Sequence, residues 1–441
     1  MHLRSRTVVL LTLLLFLSAC SPGIGTMTAT PTQKPPPTHT PIPTDPALDV
    51  CPANLRTLKD CYTPHALRVA YDLERLTQQG FTGKGQTVID IVSYGSPTLQ
   101  QDTDVFSKQF GLPPITLQVF SPLGTVPFDP KNRDMLGWAY ETELDVQIIH
   151  AIAPDAGIVV MTSPVDETEG TIGLPEFLKL EQYAVSHHLG QVFSQSYVAS
   201  EPSLADSAGK QLMATYTDFY KQITTQQGWT IVSGSGDNGA TDWVDVAMTH
   251  LSPTPIVNFP AAVPWVTAVG GTGLFRTAQG YDEHVWSSNG GASGGGVSQF
   301  FAEPDFQSGM PQTVQKLLAG HRGLPDIAAN ADPYTGMAFY VNGQWNQVGG
   351  TSASTPLLAG IIAIADQMAG HPLGFINPGI YKLGLSQHAQ NDFRDITVGD
   401  NSIHGKAQVQ GFPATTGWDA VTGWGTPLAS QFIPDLIAAL Q

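Results

Sequence analysis

Positive charge is scarce in this sequence. Its 441 residues include only 20 Lys and Arg against 37 Asp and Glu, which gives a formal net charge of −17 at pH 7. A surface of this sign repels the phosphate backbone of nucleic acids, so we expect no nucleic acid partner. The same carboxylate-rich surface loses its self-repulsion as the pH falls, which indicates tolerance of acid.

No apolar run in the N-terminal region is long enough to span a bilayer. Arg4 and Arg6 precede the apolar run 8–17, which is shorter than the roughly 20 residues that a spanning helix needs. The run ends in Leu-Ser-Ala-Cys at residues 17–20, the pattern of a bacterial lipobox. We therefore expect residues 1–19 to be a lipoprotein signal peptide and Cys20 to be the lipidated residue of an extracytoplasmic, membrane-anchored protein of the cell envelope.

Cysteine is also rare, with three residues in the whole chain. After export, Cys51 and Cys61 would lie in an oxidising space, and we expect them to form a disulfide at the start of the folded domain. Residues 20–49 are dominated by Pro and Thr and cannot bury a core, so they predict a semi-extended stalk. Residues 50–441 show no break in composition that would mark a second domain, and we expect one monomeric domain.

Short apolar runs within this domain predict buried strands. Helical stretches separate the runs, and strands that alternate with helices indicate an α/β fold in which helices cover both faces of a doubly wound parallel sheet. The predicted strands are Thr87–Val92, Gly157–Met161, Gln191–Phe193 and Trp229–Val232.

Residues 348–360 begin as a glycine-containing loop and continue into the apolar run Leu357–Ala365. Their sequence is Val-Gly-Gly-Thr-Ser-Ala-Ser-Thr-Pro-Leu-Leu-Ala-Gly. The run predicts a helix, and its positive N-terminal end would favour developing negative charge near Ser352. Ser352 is therefore a candidate nucleophile. On this stretch alone, an ordinary N-cap serine explains the pattern equally well.

Two carboxylates share the apolar face of a predicted helix over residues 136–152. They lie at helical spacing with four aliphatic residues, in the set Glu141, Leu144, Asp145, Ile148, Ile149 and Ile152. Burying ionised carboxylates costs several kcal/mol each unless they are paired, protonated or used, and two neighbours share a proton. A structural carboxyl bonded to the backbone is the alternative. Glu143 and Gln147 are expected to project into solvent.

Asp237 lies in Gly-Asp-Asn-Gly, at the carboxyl end of the fourth predicted strand. Open parallel sheets place their ligand sites at this end, although Asp-Asn-Gly is also common in turns. A serine nucleophile usually needs a histidine base, but the sequence has neither a His-Gly-Thr-His segment nor a His-Glu-x-x-His zinc motif. A carboxylate base at Glu141 and Asp145 is what remains.

The serine loop, the Glu-Thr-Glu-Leu-Asp segment and the Gly-Asp-Asn-Gly segment together resemble the motifs of the sedolisins, the serine-carboxyl peptidases. Further segments agree in family order, and the resemblance covers essentially the whole chain from Cys51 onward. These segments are residues 62–71, 83–86, 259–261, 270–272, 293–298 and 323–326.

The resemblance implies a subtilisin-like fold and hydrolysis of peptide or protein substrates through an acyl-enzyme at acid pH. Ser352 would attack the carbonyl, and Glu141 would take its proton and later pass it to the leaving amine. Asp145 would orient Glu141. Asp237, in its protonated form, would complete the oxyanion hole with the Ser352 amide. Endopeptidase and tripeptidyl-peptidase action both stay open.

Segments near the C-terminus resemble the family's calcium site, which would hold one structural Ca²⁺ with oxygen ligands only. Two Asp-containing turns without an ion are the alternative. The resemblance implies as ligands the carboxylates of Asp395 and Asp419 and the carbonyls of Ile396, Thr415 and Gly417.

The chain also departs from the family pattern. An accessory glutamate and tryptophan behind the acid pair are replaced by Ser93 and Tyr197, so we expect no proton path through those positions. The family usually carries a large prosegment, whereas only the predicted stalk precedes Cys51. Two rival functions therefore stay open: a catalytically decayed lipoprotein that binds peptides or acts as a scaffold, and a Ser-His-Asp peptidase of neutral pH. Retention of all four acid and serine positions argues against the first.

Overall fold

The computed structural model describes residues 50–56, 60–167, 169–403 and 409–441, which all belong to one unit, Ile42–Gln441. The predicted signal peptide, the lipidation site Cys20 and the predicted stalk lie outside the described residues. Among the helices that are described, none is both long enough and apolar enough to cross a bilayer.

The helices are numbered in chain order. They are α1 (Pro64–Ala70), α2 (Glu74–Gln78), α3 (Leu99–Phe110), α4 (Arg133–Ile152), α5 (Leu174–Ser186), α6 (Ser207–Gln226), α7 (Gln312–Leu318), α8 (Thr351–Ala369), α9 (Asn377–Gly384), α10 (Ala389–Asp392) and α11 (Ala429–Leu440).

The strands are numbered in the same way. They are β1 (Thr87–Ser93), β2 (Gln118–Phe120), β3 (Gly157–Ser163), β4 (Val192–Gln195), β5 (Ala199–Ser200), β6 (Thr230–Gly234), β7 (Asn258–Phe259), β8 (Thr267–Thr277), β9 (Gly280–Val285), β10 (Ser287–Ser288), β11 (Gly291–Ala292), β12 (Gly296–Ala302), β13 (His321–Leu324), β14 (Ile327–Asn330), β15 (Ala338–Val341), β16 (Gln344–Gln347), β17 (Phe393–Arg394) and β18 (Thr426–Pro427).

The central sheet has the strand order β14-β8-β6-β4-β1-β3-β2, with β9 added antiparallel to β8. All pairings along this path are parallel. The four predicted strands are β1, β3, β4 and β6, so their existence and parallel pairing are confirmed. The order also shows that the chain winds outward in both directions from β1, which is the doubly wound topology expected from alternating strands and helices.

Alternate side chains of β1 pack into two different hydrophobic clusters, one on each face of the sheet. Val88 and Val92 pack with residues of α4 and α8, whereas Ile89 and Ile91 pack with residues of α5 and α6. This alternation is the two-residue period of a strand buried on both faces. Helices therefore cover both faces, as predicted.

The disulfide expected at the start of the domain is present. Cys51 and Cys61 are bonded, and their Cα atoms are 6.4 Å apart. The backbone amide of the next residue, Tyr62, donates to the Gly336 carbonyl at 3.0 Å. The disulfide therefore closes a short loop next to a residue that is tied into the body of the domain.

The expectation that Glu143 and Gln147 face solvent is wrong, because both side chains are 0% exposed. Gln147 exchanges two hydrogen bonds with the backbone of Tyr340 on β15, donating at 2.7 Å and accepting at 2.8 Å. It also donates to Glu143 at 3.0 Å, and Ser96 donates to the same carboxylate at 2.8 Å. The β15–β16 hairpin covers the side of α4 that helical periodicity assigns to solvent.

Candidate functional site

The candidate residues converge on the carboxyl edge of the central sheet. β1 ends at Ser93, β4 at Gln195 and β6 at Gly234, and the three strands are adjacent and parallel. Their carboxyl ends therefore lie along one edge, where the following loops can meet. The Asp237 loop follows β6 directly, and Ser196 is the first residue after β4.

Ser352 is the second residue of α8, which begins at Thr351. The helix starts earlier than the apolar run alone predicts, and the amide of Ala353 bonds to the Gly350 carbonyl at 2.9 Å. Gly350 has φ = 112°, and a Cβ atom there would lie 2.5 Å from Asp237 Oδ2. A glycine is therefore required at the turn that delivers Ser352 to the helix N-terminus.

Asp237 is fixed against this turn. Its Oδ1 accepts hydrogen bonds from the Thr351 amide at 2.8 Å and from the Thr351 hydroxyl at 2.9 Å. The Thr351 hydroxyl oxygen in turn accepts from the Gly236 amide at 3.1 Å. These bonds tie the β6 loop to the first residue of α8 and place the Asp237 carboxyl beside Ser352.

The Glu141 side chain extends from α4 toward Ser352. Burial raises the pKa of Glu141 to about 8, a hydrogen bond from the Ser352 hydroxyl opposes this rise, and the charges of Asp237 and Asp90 add to it. The Glu141 Oε1 atom is buried and has no hydrogen-bond partner among the described residues. The side chain is therefore in contact with the candidate nucleophile and retains an unused acceptor.

Asp145 lies one helical turn after Glu141 and is 0% exposed. Burial is the main reason why the pKa of Asp145 is raised well above its usual value, and the charges of Asp90 and Glu141 raise it further. Ser196 donates to Asp145 Oδ1 at 3.0 Å and also lies 3.4 Å from the Ser352 carbonyl oxygen. Ser196 thus connects the acid pair to the start of α8.

The structure therefore brings together all four residues that the sequence singled out for catalysis. Sequence reasoning did not find Ser196 or Thr351. The position of Ser196 directly after a predicted buried strand was an available signal, since residues at that edge of a parallel sheet are candidates for a site. The hydrogen bonds of Thr351 depend on a loop more than a hundred residues earlier, and no local pattern reveals them.

A cleft opens beside Ser352. Aromatic side chains and acids line it, and none of the described residues that line it is a histidine. A Ser-His-Asp arrangement therefore has no base here. Besides Asp237, the aromatic and acidic lining residues are Trp138, Tyr197, Trp243, Glu167, Glu169 and Asp242.

The residues of the predicted calcium site also come together. Asp395 Oδ2 accepts from the Gly417 amide at 3.0 Å, and Asp419 Oδ2 accepts from the Thr415 amide at 2.9 Å, so both carboxylates reach one loop. Ile396 is buried beside them. In the described part of the chain, no group of three or more His, Cys, Asp or Glu side chains could hold a metal. Two carboxylates with backbone carbonyls fit an oxygen-liganded ion such as Ca²⁺.

The amino-acid sequence is similar to that of known peptidases. The model of the subtilase family, peptidase S8, matches residues 137–379. Kumamolisin from Bacillus sp. (strain MN-32) is 31% identical over 386 residues, which cover 85% of this chain and 64% of that protein. Human tripeptidyl-peptidase 1 is 33% identical over 311 residues, which cover 65% of this chain and 50% of that protein. The chain thus spans between half and two thirds of these relatives.

A solved structure matches over nearly its whole length. It is a Pseudomonas sedolisin, a serine-carboxyl proteinase complexed with two molecules of pseudo-iodotyrostatin. The TM-score is 0.70 at 27% sequence identity, and the match covers 85% of this chain and 98% of that one. The fold of this chain therefore matches almost the whole of that sedolisin chain.

Proposed function

Because the chain belongs to the subtilase family and, within it, to the sedolisins, we propose that it is a serine-carboxyl peptidase that hydrolyses peptide bonds at acid pH. The observation that carries the proposal is the contact of the Ser352 hydroxyl with the partly buried Glu141 carboxyl at the N-terminus of α8. A hydroxyl beside a buried acid at a helix N-terminus combines a nucleophile, a base and a site for negative charge.

In the proposed reaction, Ser352 Oγ attacks the scissile carbonyl while Glu141 accepts the hydroxyl proton. Glu141 then gives this proton to the leaving amine, and water repeats the sequence on the acyl-enzyme. Asp145 acts behind Glu141, and the hydrogen bond from Ser196 holds Asp145 in place. The raised pKa makes Glu141 a stronger base toward the Ser352 proton than an ordinary glutamate, and Glu141 takes this role in the molecules in which it is ionised.

Negative charge on the carbonyl oxygen would be met by the Ser352 amide and by Asp237. The first amides of α8 have no carbonyl one turn earlier to bond, and the helix dipole favours an anion there. Asp237 can contribute a hydrogen bond only while it carries a proton. Its Oδ1 already accepts two bonds from Thr351, so its Oδ2 is the oxygen that would hold this proton. Ionisation of Asp237 would remove the donor, so the activity should fail as the pH rises.

The pH dependence of peptide hydrolysis tests the proposal. We expect the purified protein to cleave casein and a mixed peptide library with an optimum below neutrality, and to lose activity toward pH 8. A peptide aldehyde at acid pH should label Ser352, as detected by mass mapping. A histidine-based peptidase would instead lose activity as the pH falls through the range of a histidine, and that result would contradict the proposal.

The rival proposal, a decayed peptidase that binds peptides or acts as a scaffold, makes a different prediction in the same experiment. It expects peptide binding with neither cleavage nor a Ser352 adduct at any pH. Our reason to favour the enzyme is that a binding module gains nothing from carboxyls buried beside a serine, since their burial destabilises the fold.

We also propose that one Ca²⁺ stabilises the domain at Asp395, Asp419 and the carbonyls of Ile396, Thr415 and Gly417. At a free Ca²⁺ concentration 100-fold above Kd, such a site adds about 2.7 kcal/mol to the free energy of unfolding. We therefore expect Tm to fall when Ca²⁺ is replaced by a chelator, and Mg²⁺ not to restore it. Asp395→Asn should abolish the response. An equal response to Ca²⁺ in Asp395→Asn would contradict this ligand set.

A further inference from the structure

Asp90 is an acid in the middle of a strand whose other residues on that face are aliphatic. It lies at the centre of β1 between Val88 and Val92, which belong to the apolar layer under α4 and α8, and it is 0% exposed. In register beside it are Val160 on β3 and Ser194 on β4, neither of which titrates in this range. An isolated carboxylate at such a position is strongly unfavourable.

Asp90 interacts with Asp145, the second acid of the pair on α4. The Asp90 carboxyl lies within reach of a hydrogen bond to the Asp145 carboxyl, and the pKa of each carboxyl depends on the other. Two carboxyl groups can form this bond only if at least one of them carries a proton, so the two residues share one. Like Oδ2 of Asp145, both oxygens of Asp90 are buried and accept a hydrogen bond from no N–H or ordinary O–H donor in the described part of the chain, which leaves Asp145 as the polar group that Asp90 can reach. Its single polar contact therefore points along the row of acids that leads to Ser352.

The acids form an ordered series from the surface of the cleft into the core. Glu141 contacts Ser352, Asp145 lies one turn further along α4, and Asp90 lies beneath Asp145 on β1. The titratable groups that act on Asp90 or its neighbours are Asp145, Glu141 and Asp237, all of them acids. Ser196 is the remaining donor to Asp145. Tyr197, which follows it, donates to Glu181 at 2.7 Å and so belongs to another network.

We propose that Asp90 is a positioning residue of the catalytic apparatus, whose carboxyl keeps a proton on Asp145 so that Glu141 is the acid that carries the negative charge beside Ser352. The inference rests on the proposed function for its catalytic consequence. No proton of Asp90 is consumed: the Ser352 proton passes to Glu141 and then to the leaving amine, while the shared proton stays between Asp145 and Asp90.

The Asp90→Asn variant separates this role from a merely structural one. The amide can still donate to Asp145, but it can neither share a proton nor carry negative charge. Loss of the charge of Asp90 lowers the pKa of both Asp145 and Glu141. Asp145 can then ionise in place of Glu141, which leaves Glu141 protonated beside Ser352. We expect kcat to fall roughly tenfold with KM unchanged, and the pH–activity profile to move to lower pH by about one unit.

The matched control is Asp366→Asn. Asp366 is also 0% exposed and lies on the same helix as Ser352, but its carboxyl accepts from the Leu373 amide at 2.9 Å near the other end of α8. This variant should leave the pH–activity profile in place. Asp90→Val is a second variant for the site, since aliphatic neighbours can accept it, and it should produce the same shift as Asp90→Asn.

An infrared pH titration of the protein without substrate tests the inference even if no peptidase activity is found. Asp366→Asn should remove one protonated carboxyl band and change nothing else. Asp90→Asn should remove one band and also move the titration of a second carboxyl, Asp145, to lower pH. An unmoved titration of the remaining carboxyls, or a pH–activity profile identical to that of the parent, would overturn the proposal.

Discussion

A Ser352→Ala protein should hydrolyse no peptide above background while keeping its fold. Ser352 is partly exposed on the first turn of α8, so loss of its hydroxyl removes little packing. If Ser352 is the nucleophile, the remaining acids and oxyanion site have nothing to activate. We expect kcat/KM to fall by roughly four orders of magnitude or more, as for other peptidases that form an acyl-enzyme. Hydrolysis of a fluorogenic peptide at acid pH measures the loss, and Tm checks the fold.

Ser354→Ala is the matched control for this prediction. Ser354 lies two residues later on the same helix and is 0% exposed, and its hydroxyl donates to the Thr351 carbonyl at 2.9 Å, away from the cleft. This variant should retain most of the activity. Glu141→Gln should lose nearly as much activity as Ser352→Ala, and the double variant should be no worse, because a nucleophile and its base act as one unit. Substantial hydrolysis by Ser352→Ala would exclude the proposed nucleophile.

The sequence predicts those parts of the site that depend on a pattern within a few neighbouring residues. β1, β3, β4 and β6 are short apolar runs, and a parallel sheet follows from their alternation with helices. The glycine turn before Ser352 and the placement of Asp237 after β6 are also readable within a few residues. Helical spacing puts Glu141 and Asp145 on an apolar face, so the sequence also predicts that these two acids are special.

The parts that the sequence does not predict depend on contacts distant along the chain. Glu143 and Gln147 are buried because β15, almost 200 residues later, lies against α4. The hydrophobic periodicity of a helix identifies its most apolar face, but it does not predict whether another element also packs on the opposite face. Asp90 is different, because an acid inside the run Val-Ile-Asp-Ile-Val is itself a signal. Its role depends on the fold, which places it against Asp145.

The protein should be more stable at acid than at alkaline pH. Burial raises the pKa of Glu181 and of Glu143 to about 8, and that of Asp366 and of Glu201 to about 7. Below the ordinary pKa values, 4.5 for the glutamates and 3.8 for Asp366, these acids are protonated in both states and the stabilisation is fully present. As the pH rises toward 7–8, the unfolded chain releases protons that the folded protein holds, so stability falls by about 1.4 kcal/mol per pH unit for each such group.

One buried histidine acts in the opposite direction. Burial is the main reason why the pKa of His150 is lowered to about 4, so the unfolded chain binds a proton that the folded protein does not as the pH falls below 6.5. This single group offsets about one of the acids between pH 6.5 and 4. It does not act above pH 6.5. The four acids act without this offset between about pH 6.5 and 7, so the fall in Tm should be steepest there. From pH 7 to 8 only Glu181 and Glu143 still contribute, and calorimetry from acid pH to pH 8 measures both ranges.

Glu181→Gln tests the assignment to individual groups. The Glu181 side chain accepts hydrogen bonds through one oxygen from Tyr197 at 2.7 Å, Gln195 at 2.9 Å and Tyr220 at 3.1 Å, and a glutamine oxygen can accept the same bonds. The variant should lose about 1.4 kcal/mol per pH unit of the pH dependence. Asp218→Asn, on the exposed side of α6, is the control for the acid-to-amide substitution itself. A Tm that rises from pH 5 to pH 8 would mean that these acids are ionised in the folded protein. That result would contradict the buried environment from which the mechanism is argued, because burial is the main reason why the pKa of each of these acids is raised.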